Sequence, residues 1–464
     1  MCDAIISSNP IGYRMPFMGS HEMSFTMNTD IHPSNHSSVK AAHNPRSLWR
    51  LSAYRNWFIS DTADVFAVSL RTFAIPLIGL ALSGSAFISG LLVAIESAIG
   101  LVLMSIGGAI ADRHDRRRLM ILLGLVGVVL SVSATVLLAF GMMNTTAFMF
   151  FVVMFAMMNG LLGPSNDAML KSIVPMERFA KAQAIREARE SCVELSGGAI
   201  GGLLYRIAGW CPFLTSAALY LIASITALAL PKNTTVATEN VPANRQISSS
   251  STMDSSFLAQ FIEGWKWTLT RRTVLAAIVQ GAVINVACYG NIIGVQIMLA
   301  ERGTDAALIG LVGTATGVAA LIGSLAANWL VDHIPTGKLI MLTFAVFTFA
   351  ITPLLFTDSY GVIVACTAMA SLLFPAFNAG ELGFIYGRTP DHMQGRVSTV
   401  FETAIGIPGA LTPALVGWLL QTPGLGFRAV MILVVACAGV GLLLACVTPT
   451  RDIPLPSQWE QAEL

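Results

Sequence analysis

The stretch GGAIADRHDRRR, Gly107 to Arg118, closes a long apolar run with one acid, Asp112, and then crowds Arg113, Arg116, Arg117 and Arg118 into a short loop. A membrane helix that ends on the cytoplasmic side ends this way, because Lys and Arg are retained on that face of the bilayer. The apolar runs on either side, 87–111 and 119–141, are each long enough to cross the hydrocarbon core, which takes about twenty residues. The loop thus reads as the cytoplasmic turn of a helical pair and gives every later segment a direction.

Ten more apolar segments of spanning length follow the same rule, near 57–80, 147–170, 184–209, 212–230, 273–299, 306–331, 339–356, 360–387, 398–420 and 427–448. Loops assigned to the cytoplasmic side hold Lys171, Arg178, Lys181, Lys232, Arg271, Arg272, Lys338, Arg388 and Arg396. The opposite loops hold little beyond Arg206, Arg302 and Arg428. Twelve spans with that bias place both termini in the cytoplasm.

Composition agrees. Of 464 residues, 55% are hydrophobic and only 11% charged, and the mean hydropathy is +0.70, too little charge to coat a soluble globule. A net charge of +1 gives no basic face for nucleic acid. Five of the cysteines (Cys192, Cys288, Cys366, Cys437, Cys446) lie inside apolar segments and read as small apolar side chains. The first fifty residues contain no apolar run and are expected to form a disordered cytoplasmic tail rather than a signal peptide. His21, His32, His36 and His43 fall in that tail, where no fixed geometry makes a metal site.

The expected organisation is a tail over 1–50, a six-helix bundle over 51–231, a linker over 232–272, a second bundle over 273–450 and a tail over 451–464. The linker begins Ser-rich and ends FLAQFIEGWKWTLTRR, whose bulky apolar residues and charges suit an interfacial helix. The bundles repeat. At an offset of 215, Pro175 falls on Pro390, Lys181 on Arg396, Glu187 on Glu402, Ala199 on Ala414 and Gly202 on Gly417. At 220, Asp112 falls on Asp332 and Arg118 on Lys338. Duplication of this kind predicts parallel six-helix halves with a binding site between them near the midplane.

The opening loop also resembles the signature loop of the major facilitator superfamily. Gly108, Asp112, Arg113, Arg116 and Arg117 fit its pattern, and Asp115 stands where many members have Gly. The resemblance implies an all-α membrane protein of twelve transmembrane helices in two pseudo-symmetric six-helix bundles, a secondary transporter and not an enzyme. It further implies gating by Asp112, Arg113, Arg116 and Asp332, with Asp167 meeting Arg116. The wording ADRHDRRRLM and SIVPMERFAKAQAIREA is most similar to the bacterial branch of proton-driven drug and siderophore exporters, the enterobactin-exporter-like branch. Gly198, where a Pro is common in exporters of the superfamily, departs from that pattern; its repeat mate Pro413 keeps the Pro.

Ionisable groups within spans are expensive, so each is a functional candidate. Asp61, Asp64 and Arg71 lie in the first span and Glu96 in the second, with Arg71 and Glu96 at similar depth. An ion pair between these two either belongs to a cavity or only holds the helices in register. Glu187, Glu190 and Glu194 share one face of the fifth span, before Gly197, Gly201 and Gly202, which permit close helix approach. Cavity candidates are Arg71, Glu190, Gln280, Asn285, Asn291 and Glu381; the polar groups of the seventh span, Gln296 among them, either bind substrate or bond across helices. No His lies in a span and no Gly-x-x-x-x-Gly-Lys-Ser/Thr loop is present, so neither an ATP motor nor a cofactor is expected. Proton coupling then needs a carboxyl group kept protonated by an apolar setting. By that criterion Glu194 ranks first, Asp64 second and Glu96 third. The partners expected are the bilayer, a small molecule and protons, with the chain a monomer in the inner membrane.

Overall fold

Four helix starts are written by short polar side chains. Ser85, Asp115, Asn144 and Asp305 each precede a helix and accept a hydrogen bond from a backbone N–H of its first turn, at 3.2, 3.0, 2.8 and 2.9 Å. They satisfy donors that every helix start leaves free. Pro164 and Pro375 sit at first-turn positions of two others, where a missing N–H costs nothing.

The computed structural model describes residues 48–232, 257–390 and 393–462. Within them the first half is built from α1 (Ser52–Ser83), α2 (Ala86–Arg113), α3 (Arg116–Ala139), α4 (Thr145–Leu162), α5 (Pro164–Ile173), α6 (Met176–Ile207) and α7 (Cys211–Leu228). After α8 (Phe257–Leu269), the second half holds α9 (Arg272–Glu301), α10 (Ala306–His333), α11 (Thr336–Ile351), α12 (Tyr360–Ser371), α13 (Phe374–Arg388), α14 (Gln394–Gln421) and α15 (Gly426–Val447). The fourth span is α4 and α5 in tandem, the tenth α12 and α13. The two tandems coincide end to end at the offset of 215, but α4 runs eighteen residues before its break and α12 twelve, and neither break is signalled by the apolar runs. The His-bearing N-terminal stretch and residues 233–256 of the linker lie outside the described residues.

Eleven spans are long and apolar enough to cross a membrane, counting each tandem as one. The twelfth is α6, as long as α1 but with Arg186, Glu187, Arg189 and Glu190 in its first half. The protein is therefore an all-α, multi-pass membrane protein with the expected set of spans.

Packing repeats with the sequence. In the first half α3 packs on α7, α1 on α7, α2 on α4 and α1 on α6; in the second, α11 packs on α15, α9 on α15, α10 on α12 and α9 on α14. The halves meet along α2 with α14 and α6 with α10. At these seams the backbones touch. A Cβ added to Gly90 would stand 2.0 Å from the Pro413 carbonyl oxygen, and one added to Gly310 would stand 2.1 Å from that of Gly198. Gly310 is Gly90 shifted by 220, and Pro413 is Gly198 shifted by 215, so one contact has been copied. Small residues at a helix crossing of this kind replace side-chain bulk with direct backbone contact.

Close contacts of this kind lie toward the ends of α2, α6, α10 and α14 away from the α2–α3 loop. The loop side is called here the basic end and the other the opposite end. The segment beyond α15 is not a free tail: it folds back in two short 3-10 turns, Pro449–Asp452 and Pro456–Gln461, against α11 and α13.

Candidate functional site

The stripe Trp57, Ser60, Asp61, Asp64, Ala67, Arg71 runs down α1 at helical spacing, and every member is buried. Burying three ionisable side chains on one face obliges neighbouring helices to supply partners. Asp61 finds Arg189 of α6, Oδ2 to Nη2 2.8 Å. Arg189 also meets Glu190 at 3.0 Å, Glu190 meets Arg186 at 2.7 Å, and Arg186 reaches Asp167 of α5 at 2.5 Å. One turn along α1, Asp64 Oδ2 accepts a hydrogen bond from Asn166 Nδ2 at 2.9 Å. Asn166 is fixed in turn by its own carbonyl, which accepts from Trp57 Nε1 at 2.9 Å. The second carboxylate oxygen of Asp64 has no partner. Asp61, Asp64, Asp167 and Glu190 are four carboxyl groups; Arg186 and Arg189 are two guanidinium groups. Asp167 is exposed and Glu190 half-buried, so the uncompensated charge of the cluster falls on the two buried acids of α1, where Asp61 has Arg189 and Asp64 has no cation paired with it among the described residues.

Two turns deeper along α1, Arg71 meets Glu96 of α2 at 2.5 Å and lies with its guanidinium 4.5 Å from the centre of the Phe155 ring. Arg71 is completely buried, so its charge is neutralised within the first half and is not displayed to a ligand.

The signature loop is organised differently from expectation. Arg116 is the one buried arginine of the loop. It donates from Nη1 to the Ala168 carbonyl at 2.9 Å and stands 4.0 Å from Asp112. Asp167, expected to meet Arg116, pairs with Arg186 instead. Adjacent helical residues point about 100° apart: α5 turns Asp167 toward α6 and leaves a main-chain oxygen for Arg116. Asp112, Arg113 and Asp332 are exposed at the basic end.

Glu194 does not meet the criterion that ranked it first. It is exposed, because the face of α6 on which it lies looks out between the halves, within electrostatic reach of Tyr289 on α9. Gln280 is not in a cavity either: it is fully buried and donates to Thr448 Oγ1 and Thr450 Oγ1 at 3.0 and 2.8 Å. Gln296 bonds across the halves, donating to the Phe73 carbonyl at 3.0 Å. Asn285 is half-buried. Asn291, which the offset of 220 lays on Arg71, is buried with its amide oxygen unpartnered. Glu381 is buried in α13 with no ion-pair partner among the described residues. Asn166 is a site residue that charge alone does not mark in the sequence, although the offset of 215 lays it on Glu381.

The opposite end carries two more polar contacts between the halves. Arg206 Nε lies 3.0 Å from Asp305 Oδ2, and Gln421 Oε1 accepts from Ser85 Oγ at 2.5 Å and from the Phe87 N–H at 3.1 Å.

A family model for the Major Facilitator Superfamily matches residues 58–291 and 275–463. The chain belongs to this superfamily. Solved structures with the same fold include a mutant form of the nucleoside transporter NupG, with 10% identity, a TM-score of 0.63, and coverage of 84% of this chain and 99% of that one. A bacterial homologue of the iron transporter ferroportin in an inward-facing state gives 13%, 0.64, 86% and 99%. A bacterial homologue of the human lysosomal transporter Spinster, inward-facing and unoccupied, gives 12%, 0.64, 86% and 98%. No curated protein sequence matches the chain. As a major facilitator the protein is a secondary transporter of a small molecule, and at these identities the solved structures speak for the fold alone.

Proposed function

We propose that the protein is a proton-driven antiporter that exports a small organic molecule, siderophore-like or drug-like, across the inner membrane. In this reading the basic end and both termini face the cytoplasm, following the bias of Lys and Arg among the loops. The end at which the halves touch is, in this reading, the one facing away from the cytoplasm.

The observation that carries the coupling is the charge count around Asp61 and Asp64. Of the four acids only Asp61 and Asp64 are buried; Arg189 meets Asp61, and among the described residues Asp64 has an amide as its partner. A buried carboxylate with no cation is strongly disfavoured, so the cluster gains stability by taking up protons, and Asp64 is the carrier this reading favours. A proton bound there in one access state and lost in the other couples its movement to that of a substrate. Export of siderophore-like or drug-like molecules rests on the wording of the signature loop and of residues 172–188.

The test is flux in everted vesicles holding the purified chain, with candidate compounds and an imposed pH difference. Inward accumulation coupled to outward proton movement supports export. Movement of both in the same direction makes the protein an uptake symporter, and no coupled movement with any compound class leaves a sensor or scaffold.

A further inference from the structure

Helix α11 is preceded by Pro335 and has no side-chain cap, whereas its repeat mate α3 is capped by Asp115. The free donors of α11 are met by the chain's own C-terminal segment: the N–H groups of Thr336 and Gly337 donate to the carbonyls of Pro454 and Ile453, at 3.3 and 3.0 Å. The segment is fastened further along. Trp459 Nε1 donates to Thr336 Oγ1 at 3.2 Å, and Arg388 Nη2 donates to the Ala462 carbonyl at 2.8 Å. Trp459 also packs edge-on against Phe384, ring centres 5.9 Å apart, and touches Gly383 of α13.

These contacts sit directly beyond a group that the ion-pair network of the first half does not reach. Glu381 is 2% exposed. Phe377 and Phe384 lie four residues before it and three after, hence on its own face of α13. Phe377 packs against Phe344 on the side of the opposite end, and Phe384 against Trp459 on the side of the basic end. Among the described residues the charged groups and histidines on the elements around α13 are Asp332 and His333 on α10, Lys338 on α11, Arg396 and Glu402 on α14, and Arg451, Asp452 and Glu460 in the C-terminal segment; all are exposed except Arg396, which is half-buried and pairs with Glu263. Arg388, on α13 itself, is engaged by Ala462. None forms an ion pair with Glu381, and an ionised carboxylate so placed would be uncompensated.

We propose that the C-terminal segment is a strap that seals Glu381, as a second and neutral carboxylic acid, from water at the basic end, so that this group exchanges its proton only when the strap lifts. The aromatic pair Phe384 and Trp459 forms the seal, and the bonds to Thr336, Gly337 and Arg388 hold it down. Removing the strap would open a path of about one helical turn from the basic end to the carboxyl group.

The experiment is infrared spectroscopy of the purified full chain, transferred to heavy water at neutral pH. A protonated carboxyl band that vanishes in Glu381→Gln is expected, with slow hydrogen-deuterium exchange. Trp459→Ala should speed that exchange about tenfold or more, because a sealed group exchanges only through local opening. If Trp459→Ala does not fold, Arg388→Gln, which releases only the far end of the strap, gives the same reading with a smaller effect. The absence of a Glu381-dependent band at neutral pH overturns the proposal, as does an exchange rate indifferent to both strap variants. Neither outcome depends on which substrate is carried or in which direction.

Discussion

Arg206 meets Asp305 across the junction of the two halves, and the positions that the repeat assigns to them, Gln421 and Ser85, meet each other across the same junction. Arg206 shifted by 215 is Gln421, and Ser85 shifted by 220 is Asp305. The fusion of two six-helix units has thus kept one contact in two chemical versions, an ion pair and a neutral hydrogen bond. Both close the opposite end.

The two contacts should hold that end shut additively. Arg206 is 63% exposed in its side chain, so solvent screens the pair and it is worth only about 0.2–1 kcal/mol. Arg206→Ala alone should raise the population open at that end by about twofold, and Arg206→Ala with Gln421→Ala by the product of the single effects. Spin-label distances across the opposite ends of α2 and α14 measure the populations. Unchanged distances in the double variant would show that the glycine seams alone keep the end closed.

The Asp61–Arg189 pair should behave in the other manner. Both side chains are over nine-tenths buried, so removing one partner strands a charge. Arg189→Met should cost roughly 3–5 kcal/mol of stability, and adding Asp61→Asn should return much of it. Thermal unfolding in detergent gives the comparison. A double variant no more stable than Arg189→Met would mean that Arg189 acts mainly through Glu190.

Much of this architecture is legible in the sequence, because span length, loop charge and a repeat are one-dimensional signals. The Arg71–Glu96 contact follows from depth alone, since two residues at equal height on adjacent helices have few other partners. The rest needs rotation about the helix axes, which spacing leaves undetermined. Glu194 and Asp64 each lie within a span, yet one looks out between the halves and the other into the α1–α5 interface. Nor can spacing show that Asp167 turns to Arg186, or that Gln280 is held by Thr448 and Thr450 beyond the last span.

Gly337 is a local test of the folded C-terminal segment. A Cβ there would stand 2.1 Å from the Arg451 carbonyl oxygen, a main-chain atom that can move only with its segment. Gly337→Ala should displace the segment while leaving α11 helical, since Ala is the better helix former by about 1 kcal/mol. Carboxypeptidase digestion should then run past Trp459, where the wild type resists. Equal resistance would mean the segment is anchored elsewhere.

Orientation can be tested at repeat-related positions. Lys181 follows Pro175 at the start of α6, and Arg396 follows Pro390 at the start of α14, both at the basic end. Cysteine placed at either position, in a chain freed of its seven native cysteines, should react with an impermeant thiol reagent only from the cytoplasmic side. Labelling from outside intact cells would invert the topology and with it the proposed direction of export.

The last expectation separates the two leading carboxyl groups. A coupling acid must be neutral in one access state and ionised in the other, which needs an environment that changes between them. Exposed Glu194 already meets water, so closing and opening the halves alters its surroundings mainly through Tyr289. Asp64 is buried against Asn166 on α5, and α5 is tied through Asp167 to Arg186 of α6, a helix that also lines the seam with the second half. Movement at the seam is thereby transmitted to the helix that supports Asp64. Asp64→Asn, which keeps the size of the side chain and its capacity to bond Asn166, should cut accumulation driven by a pH difference by about tenfold or more while sparing substrate exchange. Glu194→Gln should keep coupled accumulation and change chiefly the apparent substrate affinity. The reverse pattern, coupling lost in Glu194→Gln and kept in Asp64→Asn, would return the carrier role to α6 and leave the buried acid of α1 with a purely structural part.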